Sequence, residues 1–76
     1  MKLMNLKIDG LGYIKYINIK DNSLKLHLLE IGLVYNTKVR LLYKDSNIVI
    51  INYRNINILL SNDIAFNIEV YDSFIR

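Results

Sequence analysis

The run over residues 23–39, SLKLHLLEIGLVYNTKV, leaves this chain the fewest choices. Leu24, Leu28 and Ile31 recur at i, i+4 and i+7, the spacing that puts three side chains on one face of a helix. Asn22 or Ser23 stands where a side-chain oxygen would cap the first turn. Gly32 follows the last periodic residue, where a left-handed residue commonly ends a helix and glycine has no Cβ to clash. Leu33 is then placed to fold back onto the helix. After a turn at Tyr35 and Asn36, the spacing predicts a strand over residues 37–44. Val39, Leu41 and Tyr43 fall on one side of it, and Lys38, Arg40 and Lys44 on the other.

The segments on either side fill in a mainly β chain. Leu3 and Leu6 stand three apart, which suits one helical turn lying on the core. Gly10 and Gly12 punctuate the approach to a first strand over residues 13–19. Ile14 and Ile17 are both to face inward there, which a strand permits only across a bulge or bend, and a bulged, bent strand is what a small barrel needs. Residues 20–22 form a polar turn into the helix. Asp45, Ser46 and Asn47 make a compact turn. The β-branched residues of Ile48–Tyr53 then read as a third strand. Arg54 and Asn55 are a two-residue hairpin break, with asparagine tolerant of positive φ. Ile56, Ile58 and Leu60 alternate as a fourth strand. Ser61 caps one helical turn with Asp63 in it, and Ile68 and Val70 alternate as a fifth strand. Residues 71–76 are a tail with no assigned element. Five short strands and one inserted helix point to a small, partly open barrel.

Seventy-six residues make one domain, residues 1–76, and an apolar share of 53% is enough for a core. There is no cysteine, which excludes disulfides, thiolate metal sites and a cysteine nucleophile. No apolar run approaches a membrane span, and the first ten residues lack a signal-peptide core. A cytoplasmic location is expected. The net charge of +3 is modest, and its cations are spread along the chain, which favours a solvated surface over a nucleic-acid footprint.

The order helix, glycine, turn, strand resembles the FeoA family, small cytosolic accessory proteins of bacterial ferrous-iron uptake. Its pattern is close to RLLxxGLxPGTxV, with an Ile-x-Val near the end. His27, Leu28, Leu29, Gly32, Leu33, Thr37 and Val39 fall on it, with Ile68 and Val70 at the later part. The resemblance implies an SH3-like barrel with the helix between its first two strands. It also implies a partner: FeoB, a membrane permease with a cytosolic GTP-binding domain, on which this chain would dock and which it would modulate. The chain departs from the pattern where Tyr35 and Asn36 replace Pro-Gly, where Asn55 replaces a frequent glycine, and where Leu26 and His27 replace a basic pair.

Catalytic equipment is sparse. His27 is the single histidine, and its neighbour Glu30 makes only one pair, whereas ferrous iron or zinc wants several converging ligands. Gly10-Leu11-Gly12 lacks the lysine and following helix of a phosphate loop. No Ser/His/acid motif or paired carboxylates stand out. The expectation is a non-enzyme with no catalytic, cofactor or metal residues. Six tyrosines invite a stacking surface for single-stranded nucleic acid, but core and rim packing accounts for most of them. The alternative is therefore an SH3-like or Sm-like nucleic-acid-associated or regulatory module. Leu26 and Leu29 point away from the Leu24/Leu28/Ile31 stripe. They need cover from the Leu3/Leu6 turn, a partner or a second copy of the chain in a weak homo-oligomer. The candidate partner-binding residues are Leu26, His27, Leu29 and Tyr35.

Overall fold

The computed structural model describes residues 1–72. A 3₁₀ turn at Leu3–Asn5 precedes β1 (Leu11–Ile17), α1 (Asn22–Glu30), β2 (Lys38–Lys44), β3 (Ile48–Tyr53), β4 (Ile56–Ser61), α2 (Asn62–Ala65) and β5 (Ile68–Tyr71). The strands form one antiparallel sheet in the order β4-β3-β2-β1-β5. It does not close on itself, and β4 and β5 are its edges. This is the SH3-like architecture in an open form. The unassigned tail begins with Tyr71, which ends β5, and Asp72; its last four residues lie outside the described part.

Apolar alternation puts Val39 and Leu41 of β2, Val49, Ile51 and Tyr53 of β3, and Ile68 and Val70 of β5 on the core side. Of the bulge or bend expected in the first strand, β1 has the bulge. Its pairing with β5 shifts between Ile14 and Tyr16, so Ile14 and Ile17 are both buried. The strand lies two residues earlier than the predicted 13–19. Leu11 already pairs with Arg40, and the ladder to β5 ends at Ile17 opposite Ile68. A second bulge, between Leu41 and Tyr43, breaks the alternation of β2. It turns Tyr43 outward, against its predicted inward place, and the phenol donates to Asp45 Oδ2 at 2.8 Å.

α1 seats Leu28 in the core, with Leu24 and Ile31 packed beside it. Its cap is Asp21, not Asn22 or Ser23: Asp21 Oδ1 accepts from the Leu24 amide at 3.1 Å. The far end closes as the glycine promised. Gly32 takes φ +104°, its amide reaches Leu29 O, and the Leu33 amide reaches Leu28 O, the paired bonds of a Schellman stop. Two more carbonyls there are satisfied from the sheet side. Tyr53 Oη donates to Ile31 O at 2.8 Å, and Thr37 Oγ1 to Gly32 O at 3.0 Å. Leu33 is fully buried.

The chain returns to the sheet through Asn36, at φ +70°. Its amide donates to Ile14 O, and the Ile14 amide to Thr37 O, which stitches this turn to β1. Arg54 and Asn55 both take positive φ, the two-residue hairpin geometry whose twist matches that of the strands. The N-terminal residues lie along the outer edge of β5: the Val70 amide donates to Met1 O, and Lys2 bridges to Glu69. Leu3 and Leu6 are buried, and the turn they define packs against α2 and β5.

Candidate functional site: an apolar surface on the central helix

The four residues singled out from the sequence do not form one cluster. Leu29 and Tyr35 lie together, lining a depression of about 230 Å³ between α1 and β1 with Ile14, Tyr16 and Leu33. Leu26 lies one helical turn before Leu29 and is 56% exposed; Tyr35 is 60% exposed. His27 is on the other flank of α1. It lines a groove of about 370 Å³ with Leu24 and Ile31 of the helix, Ile58 and Leu59 of β4, and Ile64 of α2.

Of the covers open to Leu29, the Leu3/Leu6 turn has its main contacts elsewhere. That turn packs on α2 and β5, so Leu29 stays 39% exposed beside β1. The groove beside His27 was not anticipated. Its sequence signal is Leu59, an apolar residue out of phase with Ile56, Ile58 and Leu60, and 60% exposed. The tyrosines are also less buried than expected: Tyr16, Tyr35 and Tyr43 are exposed, while Tyr53 is in the core.

Among the described residues no group of three or more His, Cys, Asp or Glu side chains could hold a metal ion. His27 is exposed and has no acidic side chain in its groove. No described helix is long and apolar enough to cross a membrane. The one ion pair among the described residues joins the Met1 ammonium to Glu69 at 3.8 Å. What the surface offers is apolar contact around a short, well-capped helix.

These features define a small SH3-like β module with a helix inserted after its first strand and an apolar surface on that helix. A family model described as FeoA domain matches residues 1–72, and the chain belongs to the FeoA family. Solved structures agree on the fold. The FeoA protein from Chlorobium tepidum is similar at 20% identity with a TM-score of 0.85, over 93% of this chain and 69% of that one. Iron(II) transport protein A from Clostridium thermocellum is 25% identical with a TM-score of 0.79, over 93% of this chain and 44% of that one. A FeoA-like protein from Clostridium acetobutylicum is 17% identical with a TM-score of 0.75, over 92% of this chain and 83% of that one. No curated protein sequence matches the chain.

Proposed function

We propose that this protein is an accessory factor of ferrous-iron uptake that docks, from the cytosolic side, on a FeoB-like membrane GTPase permease and modulates it. Membership of the FeoA family and the likeness to an iron(II) transport protein support the iron-transport part. The observation that carries the docking part is the uncovered apolar set Leu26, Leu29 and Tyr35 on and just after α1. Exposed leucines that flank a depression beside a rigid helix are what a partner's apolar side chain fills. GTP hydrolysis and the ion path then belong to the permease. His27 lies on the opposite flank of α1, in a separate groove, and contributes less.

The test is binding to the soluble GTP-binding domain of a FeoB-like permease. Leu26→Ala and Leu29→Ala are each expected to weaken it about tenfold, and His27→Ala by less. Undiminished binding by a folded Leu26→Ala/Leu29→Ala protein sinks the assignment. If the same pair of changes instead abolishes self-association seen by sedimentation, the surface belongs to a second copy of the chain. Anaerobic calorimetry with ferrous iron is expected to show no tight one-to-one isotherm, and one that disappears in His27→Ala would contradict this reading.

A further inference from the structure

We infer that the cleft formed by Lys38, Arg40 and Arg54 binds an acidic segment of a partner protein. The ladder itself assembles the cleft. Arg40 lies between Leu11 of β1 and Asn52 of β3, and Lys38 sits two residues back on the same face of β2. Continued two residues past Asn52, that register brings Arg54 of the hairpin turn across from Lys38. The result is a cleft of about 210 Å³, also lined by Asn52 and Asn55, with no acidic side chain in its walls.

None of the three cations is in an ion pair among the described residues. One of them is held by a hydrogen bond, and a second lies close to the end of the helix. Arg40 Nη1 donates to Asp9 O at 2.8 Å, which leaves its remaining donors for a ligand. Arg54 lies against the glycine stop just past α1, its Nη1 3.1 Å from where a Cβ on Gly32 would stand. The carbonyl end of a helix favours a cation at that place. Guanidinium groups suit paired, two-point bonding to carboxylates, and the Asn55 amide, with the Asn52 carbonyl left over from its Nδ2 bond to Asn57 Oδ1 at 2.7 Å, suits a peptide backbone.

The same cleft is poorly suited to nucleic acid. Its one aromatic lining residue, Tyr53, is 2% exposed and spends its hydroxyl on Ile31 O, so it offers no stacking platform. A net charge of +3 also leaves little for a long phosphate track. Leu26, His27, Leu29 and Tyr35 do not line this cleft, so the inference stands apart from the docking reading above.

The test titrates isotopically labelled protein with a capped decaglutamate peptide, a decaglutamine control and a dT10 oligonucleotide. Decaglutamate is expected to shift amide resonances of residues 38–40 and 52–55. Its binding should fall with salt, and Lys38→Gln/Arg54→Gln should weaken it about tenfold while leaving the rest of the spectrum in place. Arg40 is left intact because it also secures the Asp9 loop. Shifts spread over the surface lysines at large, equal binding of decaglutamine, no binding of decaglutamate, or no loss in a folded double variant would each overturn the inference. Tighter, cleft-localised binding of dT10 would overturn it in favour of a nucleic-acid surface.

Discussion

Asn36 shows how a single backbone angle can be read from residue type. It holds φ +70° where the family pattern has glycine, and asparagine is among the side chains that tolerate the left-handed region. Its Oδ1 is buried without a hydrogen-bond partner among the described residues, so the side chain gains nothing there. Asn36→Gly is therefore expected to be neutral or stabilising, and Asn36→Val to cost about 1–2 kcal/mol or more by denaturant titration. Equal stability of Asn36→Val and the parent would contradict the angle. Asp45 carries the acid sensitivity of the next turn. Amides of Asn47 and Ile48 donate to its Oδ1, and with the Tyr43 hydroxyl on Oδ2 they hold its pKa below the ordinary 3.8. A depressed carboxylate contributes stability above its unfolded pKa and loses it as pH falls through the folded value. Asp45→Asn keeps an acceptor but no titration, so its stability should decline less than the parent's between neutral pH and about pH 2. The cap at Asp21 was one residue out of reach of sequence reading. Three consecutive residues, Asp21, Asn22 and Ser23, are all good caps, and only the first turn's placement chooses among them.

The central helix divides into a side that stabilises and a side that is free to bind. Leu28 is 2% exposed and Leu26 is 56% exposed, although both are leucines on the same short element. Leu28→Ala should cost about 2–5 kcal/mol, and Leu26→Ala under about 0.5 kcal/mol, in the same unfolding assay. A Leu26→Ala protein that melts far below the parent would remove that residue from the binding surface. Gly32→Ala strains an alanine at φ +104°, while the Arg54 Nη1 that its Cβ would approach to 3.1 Å ends a flexible, exposed side chain that can swing aside. It is expected to destabilise by about 1–2 kcal/mol. The stripe, the glycine stop and the fold-back of Leu33 were legible because each depends on residues within one or two turns. The fate of Leu29 was not. It depends on where the Leu3/Leu6 turn docks, and that turn's main contacts are with α2 and β5. Tyr43 escaped for a similar reason, since a bulge shows only when the partner strand fixes the register.

At the scale of the molecule, hairpins were legible and the pairing of the ends was not. Turn residues mark β2-β3-β4 directly, whereas β1 beside β5 follows only from the finished sheet. The basic cleft was hidden in the same way, because Lys38, Arg40 and Arg54 look dispersed until a ladder sets them side by side. The N-terminal residues complete the edge of β5, and Lys44 Nζ secures their turn by donating to Leu6 O at 2.8 Å and Met4 O at 3.2 Å. Deleting residues 1–6 should lower the melting temperature and promote association through the bared strand, read by scanning calorimetry and light scattering. The distance in sequence between β1 and β5 also bears on the order of events during folding. The β2-β3-β4 meander is built from neighbours, while Ile14 meets Val70 only after nearly the whole chain has been closed into a loop. Closure of that kind belongs late on the path, so the β1/β5 seam should be formed after the rate-limiting step. Val70→Ala is then expected to speed unfolding and leave the refolding rate almost unchanged, whereas Val49→Ala in the meander should slow refolding. A chevron in which Val70→Ala chiefly slows refolding would place the seam in the nucleus instead. With the predicted order, the latch of this molecule is the last strand to arrive and the first to leave, and its lifetime as a folded protein is set there.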